Sequence, residues 1–235
     1  MRILVTNDDG RNASGLLPLV NCLKRYGEVF VCVPKYEQSG MSHGIKLHSA
    51  FECKQELMED GTVIWTVDST PADCVRFAIL GLHEKFDIVI SGINRGYNMG
   101  SDIMYSGTVS AATEGINLGI KALALSTSPE YYDGAVNDVP AVIDHILDNS
   151  LLDIHNFYNV NIPKDNKGFR FTSQGGPYYS DDFIPIGNDM YMPTGKCVYT
   201  PSPNDNFDCD AVMDGYISIT PLTHNKTDID ILKKL

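Results

Sequence analysis

Apolar residues along the chain follow two rhythms. Ile3-Leu4-Val5 is a short unbroken run, and Leu16, Leu17, Val20 and Leu23 then recur at helical spacing until Gly27. Val29-Phe30-Val31-Cys32-Val33 is a second run, closed by Pro34. The pattern predicts strand, helix, strand. Runs without polar alternation predict strands buried on both faces, as parallel strands covered by helices are. Ser69-Thr70-Pro71-Ala72-Asp73 offers a hydroxyl cap, a proline in the first turn and an acid at the positive end of a helix dipole. A helix is therefore expected from there to about Leu82. Phe86 to Ser91 reads as the next strand, Val109 to Leu118 as the next helix, and Ala122 to Ser126 as another strand. This alternation predicts an α/β fold with a doubly wound, mostly parallel sheet.

Two stretches depart from it. Between Ala50 and Val67, Asp60-Gly61 separates Phe51-Glu52-Cys53-Lys54 from Thr62-Val63-Ile64-Trp65-Thr66-Val67 as a hairpin turn does, so an antiparallel addition is expected there. Beyond Ile162-Pro163 the rhythm gives way to Gly, Pro, Asn, Asp and aromatic residues. A core over residues 1–163 and a β-rich extension over residues 164–235 are expected. The extension has little core of its own, so it is expected to pack against another subunit, together with a short helix in Asp228 to Leu235.

Composition narrows the partners. The 235 residues, 43% of them apolar, can bury one substantial core. The net charge of −12 repels polyanions, which argues against polymeric nucleic acid. A small phosphorylated substrate is compatible with it, provided that a bound cation reverses the local potential. The six cysteines form no CxxC pair and read as reduced core residues. The first apolar run reaches Asn7-Asp8-Asp9 too soon for a signal peptide, and no stretch is long enough to span a bilayer, so a cytoplasmic protein without membrane attachment is expected.

In open α/β sheets ligands bind outside the carboxyl ends of the strands. The residues to inspect are Asn7, Asp8, Asp9 and Gly10, then Gln38-Ser39-Gly40, then Ser91-Gly92-Ile93-Asn94-Arg95-Gly96. Adjacent carboxylates raise one another's pKa unless a cation lies beside them. Oxygen ligation by Asp8, Asp9, Ser39 and the Asn94 amide suits a hard divalent ion, Mg²⁺ or Mn²⁺. The other reading of Asp8 and Asp9 is as caps of a helix starting near Ala13. Ser106-Gly107-Thr108 gathers hydroxyls and free N–H groups at a helix start, either as a phosphate cradle or as an ordinary cap. Gly92, Gly96 and Gly100 do not form the GxGxxG of a dinucleotide fold. No histidine pair has metal-ligand spacing, but His43 follows Ser39 closely enough to reach the same cleft. Lys35 and Arg95 are each either phosphate contacts or solvated cations, and Tyr178-Tyr179 is open between interface, loop packing and base stacking.

Taken in order, Ile3-Leu4-Val5-Thr6-Asn7-Asp8-Asp9-Gly10, Gln38-Ser39-Gly40, Thr70-Pro71-Ala72-Asp73-Cys74-Val75, Ser91-Gly92-Ile93-Asn94-Arg95-Gly96 and Tyr105-Ser106-Gly107-Thr108-Val109 resemble the SurE family, the survival-protein-E nucleotidases. The likeness is dense over about the first 126 residues and returns at Asn159-Val160-Asn161-Ile162-Pro163 and Gly215 to Leu222. It implies a Rossmann-like core, a carboxy-terminal extension exchanged within a homodimer or homotetramer, and hydrolysis of nucleoside 5′- and 3′-monophosphates with one divalent ion per subunit. It further implies metal ligation by Asp8, Asp9, Ser39 and Asn94, a phosphate-side loop at Ser106, Gly107 and Thr108, and Asn7, Gly40 and Asn98 lining the pocket. Ser69, Lys35-Tyr36-Glu37 and Phe207-Asp208 depart from the family pattern. In-line attack by water and an aspartyl-phosphate route through Asp8 or Asp9 are both mechanistically open. Two other function classes stand beside this one: an acidic receiver-type signalling module, and an oligomer that binds nucleotide without turning it over.

Overall fold

The computed structural model describes residues 1–202 and 206–235. Its centre is a nine-stranded sheet. Strand β1 (Arg2–Thr6) lies between β2 (Glu28–Pro34) and β5 (Ile88–Arg95), pairing in parallel with both. On one side the order continues through β2 to β4 (Val63–Val67) and β3 (Cys53–Leu57); on the other it continues through β5 to β6 (Lys121–Thr127), β7 (Phe157–Ile162), β11 (Ile217–Pro221) and β8 (Phe169–Phe171). The chain thus winds outward one way from β1 and then the other way from β5. The crevice between the carboxyl ends of β1 and β5 is the topological switch point, where such folds bind their ligands.

Each face of the sheet is covered by helices whose apolar stripes the sequence displays. Leu16, Leu19, Val20 and Leu23 of α1 (Leu16–Leu23) pack on Ile3 and Val5, with α5 (Val139–Asp148) beside them. On the opposite face Cys74 and Val75 of α2 (Pro71–Arg76) and Val109, Ala111 and Ala112 of α3 (Gly107–Asn117) pack on Leu4 and Val89. Thr70 caps α2 as expected, accepting from the Asp73 amide at 3.2 Å. The helix then widens into a π-type turn over Phe77–Gly81, within the expected span.

The stretch from Ala50 to Val67 requires a correction. Strand β3 is an antiparallel addition paired with β4, but β4 itself pairs in parallel with β2 and is a full member of the core sheet. Ile64, Thr66 and Val67 are buried there, and that second paired edge is what the turn signal did not reveal. Helices α4 (Tyr132–Ala135) and α6 (Leu151–Ile154) flank α5. Past residue 163, β8 and β11 complete the main sheet and α7 (Asp208–Met213) packs beside it, whereas β9 (Tyr179–Gly187) and β10 (Met190–Cys197) form a separate exposed hairpin. Strand β11 runs antiparallel to β7 and parallel to β8. The final helix, α8 (Ile229–Leu232), is capped by Asp228 and buries none of its residues.

Candidate functional site

Three loops meet at the switch point. The first leaves β1: Asn7 folds back on its own turn, its side-chain amide donating to the Gly10 carbonyl at 3.0 Å while its oxygen accepts from the Gly10 amide at 3.1 Å. That closed turn turns Asp8 and Asp9 to different neighbours. Asp8, buried, accepts from the Thr108 hydroxyl at 2.6 Å and from the Thr108 amide at 3.1 Å. Asp9 accepts from the Arg95 amide at 3.3 Å and from the Tyr132 hydroxyl at 3.5 Å. Neither caps α1, whose N-cap is Gly15 without a side-chain bond. The capping alternative is therefore excluded.

The second loop follows β2 and carries Glu37, Ser39 and Gly40. The Ser39 hydroxyl donates to Glu37 at 2.8 Å, and the Gln38 amide donates to the Asp8 carbonyl at 2.7 Å. The third grows out of the end of β5, whose pairing with β6 slips between Ser91 and Asn94. Such an irregularity re-aims the side chains after it. Glycine is needed at its root, because a Cβ on Gly92 would lie 2.3 Å from the Leu125 carbonyl oxygen. The amide nitrogen of Asn94 is committed to the Gly96 carbonyl at 2.8 Å. Its amide oxygen accepts no hydrogen bond among the described residues.

Helix α3 closes the site from above. Ser106 caps it, accepting from the Val109 amide at 3.0 Å, so the ordinary capping role expected of this residue is present. Gly107 lets the helix start approach Asp8: a Cβ there would lie 2.9 Å from the Asp8 Cβ and 3.0 Å from its Oδ2. Asp8, Ser39, Gly40, Asn94, Arg95, Asn98 and Ser106 line one cavity of about 760 Å³, whose far wall holds Asp102, Tyr105, Tyr179 and Phe183. Asp9, Lys35, Glu37, Ser39 and Tyr132 line an adjoining one of about 530 Å³, joined to the first by Ser39 and Arg95. Asn7, Gly107 and Thr108 stand behind this wall and contact Asp8 or its turn.

Asp8, Asp9 and Glu37 bring three carboxyl groups near one another. Burial raises the Asp8 carboxyl, and the nearby Glu37 adds to the rise against the opposing Thr108 hydrogen bonds. Burial, then the Asp8 charge, push Asp9 up to about 6. Among the described residues no three His, Cys, Asp or Glu side chains gather as a metal site. The residues that could hold an ion are Asp8 and Asp9 with the Ser39 hydroxyl and the Asn94 amide oxygen, all oxygen donors of the kind a hard divalent ion takes.

Lys35 and His43 each turn to a carboxylate. Lys35 pairs with Glu52 at 2.8 Å, and His43 turns to Glu114 at 2.7 Å, tying its loop to α3 outside the cleft. Arg95 lines both cavities and makes no ion pair among the described residues. Glu37 and Tyr132 were not legible beforehand. Glu37 stands two residues from Ser39 and carried only a departure from a family pattern, while Tyr132 arrives from α4 with no local signal.

Residues 3–181 match the model of the family described as survival protein SurE. The chain is 40% identical to the protein named 5′-nucleotidase SurE of Caldanaerobacter subterraneus subsp. tengcongensis, over 99% of this chain and 95% of that one. It is 36% identical to the like-named protein of Petrotoga mobilis, over 100% and 98%. The crystal structure of the SurE protein from Aquifex aeolicus superposes with a TM-score of 0.78 at 31% identity, covering 100% of this chain and 98% of that one. With its acidic switch-point turn, serine loop and asparagine loop in the order described, the chain belongs to the SurE family.

Proposed function

We propose that this protein is a divalent-metal-dependent 5′-nucleotidase that hydrolyses nucleoside monophosphates, 3′-monophosphates included, to nucleoside and phosphate. The observation that carries the reading is that Asp8, Ser39 and Asn94 line one cavity at the switch point, with a helix start against Asp8, while Asp9 and Ser39 line the adjoining one. The relatives' shared name supports the reaction class.

Asp8, Asp9, Ser39 and the Asn94 amide oxygen would hold one ion, Mg²⁺ or Mn²⁺. When bound, it supplies Lewis-acid polarisation of the phosphoryl group and acidifies water. Thr108 keeps the Asp8 carboxylate in one orientation, and Asn7 fixes the turn that carries it. Ser106 and the α3 amide end, with Gly40 and Asn98, would bind the phosphoryl oxygens; Tyr105, Tyr179 and Phe183 offer apolar surface to the nucleoside. A receiver-type module would require an acceptor aspartate at the end of the strand after Ile88, where the chain places buried Ser91.

The hairpin β9–β10 supports a homo-oligomer with exchanged carboxy-terminal elements: Phe183, Ile184, Ile186, Met190, Tyr191 and Met192 are each more than half exposed. No helix among the described residues is long and apolar enough to cross a membrane, and six free thiols fit the reducing cytoplasm. The deciding experiment is phosphate release from AMP and from 3′-AMP after chelation, with Mn²⁺ or Mg²⁺ added back. Turnover restored by either ion is expected; no release at any metal concentration would remove the reading.

A further inference from the structure

Strand β7 carries two asparagines two residues apart, Asn159 and Asn161, both fully buried on the face of the sheet that α3 covers. Amides so placed are retained only with partners, because an unmet polar group in the interior is destabilising. Both turn to a single residue, Asn98. The Asn161 side chain accepts from the Asn98 backbone amide at 2.9 Å and donates to the Asn98 carbonyl at 2.9 Å. One side-chain amide thus pairs with both backbone polar groups of one residue, as a residue of a neighbouring antiparallel strand would. The Asn159 amide donates to the same carbonyl at 2.7 Å, and the Asn98 side chain donates to the Ser126 hydroxyl at 2.8 Å.

The register explains the reach. Asn94 lies opposite Ser126, and Ser126 lies opposite Asn161, so the loop after Asn94 crosses the end of β6 and comes to rest over β7. Gly96 marks the crossing, its amide donating to the Thr127 carbonyl at 2.9 Å. Two residues past Asn98, the Gly100 amide donates to buried Asp208 at 2.9 Å. Asn98 is thereby fixed at backbone and side chain while remaining part of the cavity wall that Asp8, Asn94 and Ser106 share. The Asn159 side-chain oxygen accepts no hydrogen bond among the described residues.

We infer that Asn159 and Asn161 are positioning residues of the active site, a clamp on strand β7 that sets the place of Asn98 against the phosphoryl group of the substrate. The inference rests on the nucleotidase reading above. The clamp acts on phosphate binding and leaves the donor set at Asp8, Asp9, Ser39 and Asn94 intact.

Asn161→Asp keeps shape and acceptor but sets a carboxylate oxygen against the Asn98 carbonyl, and Asn159→Ala removes one bond together with a partnerless oxygen. In the full-length Mn²⁺ enzyme, Asn161→Asp is expected to raise the KM for AMP and the inhibition constant of inorganic phosphate about 10-fold or more, and Asn159→Ala roughly 3-fold, with the Mn²⁺ dependence unchanged. In an Asn98→Ala background the same substitutions should change KM by less than about 2-fold, since the side chain they position is gone, while still lowering Tm as they do in the parent. Equal fold-changes in both backgrounds would show a merely structural role and overturn the inference. A shifted Mn²⁺ dependence would do the same. Should Asn161→Asp fail to fold, Asn159→Ala carries the test. If the parent releases no phosphate from AMP, the nucleotidase reading fails, and calorimetric titration of inorganic phosphate into the Mn²⁺-loaded parent and variants still decides the clamp. A parent that binds no phosphate would overturn both.

Discussion

Thr108 holds Asp8 with two donors at once, its hydroxyl 2.6 Å from one carboxylate oxygen and its amide 3.1 Å from the other. Position 108 is fully buried, so this threonine acts on the site through Asp8. Hydrogen bonds to a charged group contribute about 1.5–3 kcal/mol. Thr108→Ala is therefore expected to raise the Mn²⁺ concentration needed for half-maximal turnover by roughly 10-fold or more, and Thr108→Ser to stay within about 3-fold of the parent. Metal titration of phosphate release from AMP measures both. An unchanged Mn²⁺ requirement in Thr108→Ala would show that Asp8 needs no such restraint.

Asp8→Asn separates function from stability. The substitution barely changes volume but removes one negative charge, that of buried Asp8, from beside half-buried Asp9 and exposed Glu37. Loss of turnover by about 100-fold or more is expected at saturating Mn²⁺, the scale at which deleting one preorganised electrostatic group acts. Without metal, the Tm at neutral pH should equal or exceed that of the parent, because like charges no longer face one another. Near-normal turnover, or a collapsed fold, would contradict this assignment.

Glu114 is a stability element away from the reaction. Burial opposes its charge, yet hydrogen bonds from His43 at 2.7 Å, Arg76 at 2.9 Å and Asn117 at 3.4 Å prevail and hold its carboxyl below the ordinary value. A carboxylate whose folded pKa is depressed contributes stability above its unfolded pKa and loses it as pH falls through the folded one. His43 and Arg76 are each about one-third exposed, which screens the pairs. Glu114→Gln is expected to cost about 1–2 kcal/mol at pH 7. Denaturant melts from pH 7 downward should show that difference shrinking below about pH 4.5, the unfolded value. A constant gap across that range would mean that packing, and not charge, is what Glu114 supplies.

What the chain disclosed in advance follows from how local each signal was. The spacing of Leu16, Leu17, Val20 and Leu23 specifies α1 by itself, although it is Leu19 that is buried and Leu17 only partly so, and Thr70-Pro71 with Asp73 specifies the start of α2, because caps and periodicity act within one or two turns. Asp8, Asp9, Ser39 and Asn94 stood out as polar residues at the ends of apolar runs. The second edge of β4 did not, since a hairpin turn reports only the partner across it. Strand β7 was hidden by its own chemistry: Asn159 and Asn161 alternate with Tyr158, Val160 and Ile162, which imitates a half-exposed strand, although every residue of it is buried. Their partner is about sixty positions away, at 2.7 and 2.9 Å from Asn98, and nothing local announces it. The same holds for Tyr132, which meets Asp9 only after five parallel strands have been laid down.

Gly107 is a glycine by steric necessity, which gives a last prediction. It occupies the first turn of α3, where alanine favours the helix by up to about 1 kcal/mol. Substitution should therefore be tolerated by the helix itself. The obstacle is Asp8: an added Cβ would sit 2.9 Å from the Asp8 Cβ, which belongs to a short, buried side chain on a closed turn and cannot swing aside. Either the helix start or the β1 turn must move by a few tenths of an ångström, and both movements separate Asp8 from Thr108. In Gly107→Ala the Tm is expected to remain within about 4 °C of the parent, the upper end of the shift that 1 kcal/mol produces in a domain of this size. Turnover should fall roughly 10-fold or more, with a raised Mn²⁺ requirement like that of Thr108→Ala. Gly176→Ala is the control, because an added Cβ there meets nothing within 4 Å. If Gly107→Ala unfolds the protein, the helix start and not the carboxylate is what the glycine protects; if its kinetics match the control, the contact with Asp8 is too soft to matter.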